Sequence, residues 1–260
     1  MIPIFDSLSH PTVSGGWYGR SLDAGFEKLV SDLKANGYRG AMAVGLPGTE
    51  EYTHETFMEK CQQYPELVPI AGFDINHPDY MGEIQKIKSL GYAGIKIHPR
   101  ISNLDYEDNI VSQVMHACGE NGLVVLYCTY AHCSMNKYPV NDPLYYLVRF
   151  LKSAGKTKVI LMHGGDVQVL KYAELVRFNE NLLLDLSMTF MKYQGSSVDD
   201  DIRFLLSSFD RRICIGTDHP EYTHEHLRQR FETLCAETGI DHDKMLNVAH
   251  RNIERFLGLS

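Results

Sequence analysis

The sequence has no Cys-x-x-Cys pair among its six cysteines, Cys61, Cys118, Cys128, Cys133, Cys214 and Cys235. Several lie in apolar segments where cysteine packs as a small hydrophobe, so neither structural disulfides nor a zinc ribbon is expected. Basic charge is also scarce: 25 Lys and Arg stand against 33 Asp and Glu, a formal net charge of -8 with the acids scattered. No basic face is left to neutralise a phosphate backbone, and nucleic acid is not an expected partner. No apolar run approaches the ~20 residues that span a bilayer. The opening Met1-Ile-Pro-Ile-Phe-Asp6 has no positive segment leading into a long apolar one. These two absences point to a soluble, cytoplasmic protein with no membrane partner. No G-x-G-x-x-G follows the first apolar run, which removes support for a dinucleotide-binding sheet. Neither a low-complexity stretch nor a linker interrupts the chain. With 260 residues, 44% hydrophobic and 22% charged, it reads as one domain over residues 1–260.

What is present is alternation. Short apolar, β-branched runs predict eight strands: Ile2 to Phe5, Gly40 to Val44, Leu67 to Gly72, Ala93 to Ile97, Leu123 to Tyr127, Lys158 to Met162, Leu182 to Leu186 and Arg212 to Ile215. Between them, apolar residues spaced three and four apart, as in Leu22, Phe26, Leu29, Val30 and Leu33 or Ile84, Ile87 and Leu90, predict amphipathic helices. Gly37, Gly91, Gly122 and Gly155 follow helical patterns where a left-handed residue turns the chain. Leu227 to Leu257 is long enough for two helices broken near Gly239, with Asp241 as an N-cap. Eight βα repeats predict an α/β fold of the (β/α)8 TIM-barrel type. The stretch from Tyr130 to Pro143 is the longest loop and a candidate lid.

In such a barrel the active site lies at the C-terminal ends of the strands. Those ends are consistently polar here. Asp6 and His10 follow strand 1, and Asp74, Asn76 and His77 follow strand 3. Lys96 and His98 lie on strand 4, and Tyr127, Cys128 and Thr129 end strand 5. His163 ends strand 6, Asp185 and Ser187 strand 7, and Asp218, His219 and Glu221 strand 8. Singly, a His or Asp at a strand end more often caps a helix or bonds a loop amide. Together, imidazoles, a thiol and carboxylates are what a zinc-like ion needs at about 2.0–2.3 Å. Lys96, His98 and Arg100 form a cationic cluster suited to an anionic substrate group, unless Lys96 only fills the barrel and Arg100 is exposed. Tyr130 and His132 either contact substrate or decorate the loop.

Three segments and a terminal residue resemble the amidohydrolase superfamily, in particular its amidohydrolase-related group of mononuclear-metal hydrolases and decarboxylases. They are Gly91-Tyr-Ala-Gly-Ile-Lys-Ile-His-Pro99, Val159-Ile-Leu-Met-His-Gly-Gly165, Arg212-Ile-Cys-Ile-Gly-Thr-Asp-His-Pro220 and Asn252 near the C-terminus. The resemblance implies a metal-dependent hydrolase-like barrel with a divalent metal, zinc by preference, held by His10, Cys128, His163 and Asp218. It makes Asp218 a ligand or the base that activates water, and His163 the group that polarises or protonates substrate. The constellation is degenerate: Leu8 stands where a first-strand His is usual, and Cys128 where a fifth-strand His is usual. An apolar strand is expected to raise the Cys128 thiol's pKa and keep it protonated. The leading expectation is a hydrolase of an amide, ester or lactone bond in a small polar substrate. A non-oxidative decarboxylase and a catalytically silent binding or scaffold barrel are the alternatives. The group often forms dimers, which leaves a homodimer open.

Overall fold

The computed structural model describes residues 1–102, 104–132 and 139–259. Cys133 and the centre of the loop between Tyr130 and Pro143 lie outside the described residues. Eight parallel strands, in the order of the chain, make a nearly closed barrel. They are β1 (Ile4–Ser9), β2 (Tyr38–Val44), β3 (Leu67–Gly72), β4 (Gly94–Ile97), β5 (Val124–Cys128), β6 (Val159–Met162), β7 (Leu182–Asp185) and β8 (Ile213–Cys214). Around them run α1 (Phe26–Ala35), α2 (His54–Cys61), α3 (Tyr80–Leu90), α4 (Ile110–Glu120), α5 (Pro143–Ser153), α6 (Val169–Arg177), α7 (Thr189–Lys192), α8 (Ser197–Ser208) and α9 (His224–Thr238). A last segment comprises α10 (His242–Leu246), a π-type turn (Asn247–Arg251) and α11 (Asn252–Leu257). Among the described residues no helix is long and apolar enough to cross a membrane.

Strand periodicity sorts the core into two layers. Ile95, Ile97, Val125, Tyr127, Val159, Leu161, Leu182 and Leu184 pack outward against the helices. Ile70, Val124, Leu126, Ile160, Met162 and Leu183 fill the interior, with Ile253 and Phe256 of α11 packed among them. Side chains alternate along a strand, so the residues between outward neighbours point inward. Lys96 between Ile95 and Ile97, and Cys128 after Tyr127, are placed in this way.

Strand β1 is longer than its apolar run predicts. Asp6 therefore lies inside the strand rather than after it. Two register shifts against β2, between Ile4 and Phe5 and between Asp6 and Ser9, interrupt the alternation. They bring both Phe5 and Leu8 into the interior cluster. Leu8 is fully buried there, so the position where a ligand is usual is a packing position in this chain. Asp6 is tolerated in the strand because Thr217 N–H and Oγ1, Ser9 Oγ and Leu8 N–H all donate to its carboxylate.

The expected punctuation is present. Gly37, Gly91, Gly122 and Gly155 have φ of 64°, 95°, 65° and 64°. The break between the last helices falls at Gly239, and the Asp241 side chain accepts from Lys244 N–H as an N-cap. Asn252 donates from Nδ2 to the Asp210 and Ile213 carbonyls, fixing α11 beneath β8.

Candidate active site

The C-terminal mouth of the barrel opens into a cavity of about 320 Å³, within the range of small-molecule sites. His10, Lys96, His98, His163 and Asp218 line its floor, and Arg100, Tyr130 and Lys192 its wall. Cys128 and His132 do not reach it. Asp74 and Asn76 are exposed in a turn, where the Asp74 carboxylate accepts from Asn76 N–H.

His10 is oriented by a hydrogen bond of 2.9 Å between Nδ1 and the Val44 carbonyl. A carbonyl only accepts, so Nδ1 carries the proton and Nε2 presents its lone pair. Lys96 Nζ meets that lone pair at 3.0 Å, and an Asp218 carboxylate oxygen lies 3.6 Å from the same nitrogen. Burial and the Lys96 charge push the His10 pKa well down. Burial lowers the Lys96 pKa too, against the pull of Cys128, Asp218 and Asp185. His98 is buried with both ring nitrogens unpartnered, and burial and Lys96 hold it neutral.

On the opposite side of the mouth, His163 gives Nδ1–H to the Ser187 carbonyl at 3.1 Å, leaving Nε2 for other contacts, and it is hydrogen-bonded to Cys128. Burial pushes the thiol up, but the His163 charge, Lys96 and Arg100 more than offset this and set its pKa at about 7. The expectation of an inert protonated thiol is thus reversed, because the charged neighbours come from β4 and β6 rather than from the apolar strand itself. Burial lowers and Cys128 raises the His163 pKa, with a net rise. Beneath them Asp185, fully buried, accepts from Ser7 Oγ, Ser187 Oγ, and the His163 and Ser187 N–H groups. Asp185 positions the mouth rather than facing it.

His163, Asp166, Met188 and Asp218, which follow β6, β7 and β8, are non-glycine residues with φ of 65°, 56°, 60° and 56°. Each such conformation costs on the order of 1–3 kcal/mol, and three of the four line the cavity. The wall is aromatic and cationic. Arg100 stacks over the Tyr130 ring at 4.9 Å with its Nε buried and unpartnered. Lys192 Nζ lies 3.2 Å from the Tyr130 hydroxyl. His132 pairs instead with Asp166, Nε2 to carboxylate at 2.7 Å. Trp17, in the loop after β1, stacks on His10 and donates to Glu221. Sequence reasoning missed Trp17, Lys192 and Tyr222 as cavity residues; they sit on loops or the short α7, where no periodicity marks them.

Of the expected ligands, His10, His163 and Asp218 line the cavity and Cys128 lies behind His163, outside it; in this arrangement the four do not bring their donor atoms to one point. Lys96 takes the His10 lone pair and His163 engages Cys128. Among the described residues, the ligand-type side chains with three donor atoms close together are Asp32, His219 and His224, away from the mouth.

Fold and mouth together define a (β/α)8 barrel with acid–base and cationic groups at the C-terminal strand ends. The chain belongs to the amidohydrolase family, whose sequence model matches residues 8–259. No curated protein matches the sequence. An uncharacterized TIM-barrel protein from Bordetella bronchiseptica is 19% identical, with a TM-score of 0.80 and coverage of 99% of both chains. A Pseudomonas putida protein provisionally assigned as a 2-pyrone-4,6-dicarboxylic acid hydrolase is 17% identical, with a TM-score of 0.72, covering 100% of this chain and 99% of that one. A Burkholderia multivorans amidohydrolase solved with bound zinc is 12% identical, with a TM-score of 0.70, covering 98% and 99%. At these identities the likeness establishes the fold.

Proposed function

We propose that the protein is a hydrolase of an amide, ester or lactone bond in a small anionic molecule. The observation that carries this reading is the convergence of Asp218 and Lys96 on His10 Nε2 at the floor of a cavity whose wall is cationic. Asp218 acts as general base, taking a proton from the attacking water. The oxyanion that forms at the carbonyl is stabilised by Lys96, a charge already in place and desolvated. His163, kept protonated by Cys128, donates its proton to the leaving oxygen or nitrogen as the tetrahedral intermediate collapses. His98, with both nitrogens uncommitted, is available to hydrogen-bond the substrate. Arg100 and Lys192 bind the substrate's anionic group, and Tyr130 holds both cations in place. The reading takes residues 1–260 as one functional unit with a small-molecule partner.

The test is a panel of carboxylated lactones, esters and amides followed by proton release at constant pH. Turnover of at least one member is expected, with kcat lowered about 10²–10⁴-fold in Asp218→Asn. Absence of turnover across the panel, or an unchanged rate in Asp218→Asn, overturns the reading. Carbon dioxide release from a carboxylated member would assign a decarboxylase instead.

A further inference from the structure

A second cluster of ligand-type side chains lies outside the cavity, on the seam where the barrel closes. Asp32 of α1, His219 in the turn after β8 and His224 at the start of α9 bring one donor atom each within 4.8 Å of one another. None of the three lines the mouth. His219 and His224 are 3% and 1% exposed, and neither Nε2 of His219 nor Nδ1 of His224 has a hydrogen-bond partner. Their rings face each other with centroids 5.7 Å apart. Unsatisfied nitrogens on two adjacent buried imidazoles are unfavourable unless something with an empty orbital or a proton sits between them.

The surroundings resemble a ligand set rather than a packing accident. His224 Nε2 lies 2.9 Å from an Asp6 carboxylate oxygen, and Asp6 is itself fixed by Thr217 and Ser9. A carboxylate behind one ring nitrogen is the arrangement that orients a histidine whose other nitrogen binds metal. Asp32 is the outermost member and currently accepts from Lys28 Nζ at 2.6 Å on both oxygens. That pair is an exposed i,i+4 contact with Lys28 47% exposed, an interaction of small net strength that is easily exchanged for another cation.

We propose that Asp32, His219 and His224 form a binding site for one divalent first-row metal ion, zinc-like in its preference, with the fourth position open to water on the Asp32 side. Two imidazoles and one carboxylate are donors of the right hardness for such an ion. The site would act as a clasp. Strands β1 and β8 are joined by the isolated bridge Ser9–His219 and by backbone hydrogen bonds from Ser7 to Ile215, Asp218 to Leu8 and His10 to His219. A metal there links the first and last βα units across the least regular pairing of the barrel, and its binding energy adds to folding.

The test uses the full chain after chelator treatment, titrated with Co²⁺ followed by d–d absorption, and with Zn²⁺ followed by thermal melting. One equivalent of Co²⁺ with a four-coordinate spectrum is expected, and a Tm raised by about 5 °C or more at saturating Zn²⁺. Asp32→Asn, an isosteric change at a partly exposed position, should weaken binding about tenfold or more. His219→Ala should abolish it, and His10→Ala at the mouth should leave it intact. Absence of stoichiometric binding overturns the proposal. So does binding that survives both Asp32→Asn and His219→Ala, and binding lost in His10→Ala would place the ion at the mouth instead.

Discussion

Lys96 Nζ lies 3.0 Å from His10 Nε2, and because His10 spends its Nδ1 proton on the Val44 carbonyl, the contact runs from an ammonium to a lone pair. The cation is fully desolvated and needs no reorganisation to meet a developing oxyanion. Lys96→Met keeps the length and volume of the side chain and removes its charge. It should lower kcat about 10²–10³-fold while KM changes little. Its melting temperature should fall, because His10 Nε2 loses its donor and the nearby Cys128 and Asp218 lose their buried counter-charge. Steady-state kinetics and a melt on the same preparation check both halves. A kcat within threefold of the parent would remove Lys96 from the reaction.

His98 and His10 are buried and held neutral, their pKa values pushed well below the ordinary 6.5 by burial and by Lys96. In the unfolded chain both take up protons as the pH falls below 6.5, while in the folded chain they resist. Stability should therefore be complete above 6.5 and fall on acidification, by up to about 1.4 kcal/mol per pH unit for each histidine. His163 has the opposite sign. Its raised pKa contributes stability in full below 6.5, lost as the pH rises through the folded value. Denaturant melts of the parent and of His98→Gln between pH 7 and 5 test this, and the variant should show the shallower acid loss. Parallel curves would mean that His98 takes up protons equally in the folded and unfolded chain.

Much of this arrangement is legible in the sequence, for reasons that differ by element. All eight strands overlap the apolar runs that predict them, β1 extending beyond its run through Asp6, Ser7 and Ser9, because a strand covered on both faces must be apolar nearly throughout. His10, Lys96, His98, His163 and Asp218 are legible because a barrel places strand ends at one mouth whatever the sequence distance between them. Their mutual contacts are not. Lys96 and His10 are 86 positions apart, and nothing local to either records that one neutralises the other as a ligand. Cys128 is the sharpest case: its strand predicts a protonated thiol, while the protein's fold supplies His163, Lys96 and Arg100. Leu8 is legible as a departure, but its burial depends on a β1 bulge that the pattern of apolar residues does not reveal.

Arg100 has a buried, unpartnered Nε and rests on Tyr130, a cation pre-positioned for a planar anion. Arg100→Leu should raise KM for a carboxylated substrate about tenfold or more, with a smaller effect on kcat, and should leave KM for a neutral analogue nearly unchanged. Comparing the two substrates separates lost ion pairing from general damage to the cavity. Equal losses on both would assign Arg100 a structural role.

Cys128 and His163 share a proton in a buried pair, with the thiol at about 7. Above that pH the thiolate holds His163 in its charged form, and the rate should persist until His163 itself deprotonates. Cys128→Ala removes the anion and leaves burial, which favours the neutral ring, as the largest influence on His163, opposed by Asp218 and seconded by Lys96. Its pKa should fall, and the alkaline limb of the kcat profile should move to lower pH by about one unit or more. Near pH 6 the variant should retain much of its rate, since Cys128 touches no substrate in this mechanism. Cys128→Ser, whose hydroxyl stays neutral, should shift the limb as Cys128→Ala does. A limb that does not move in either variant would show that another group supplies the proton to the leaving atom.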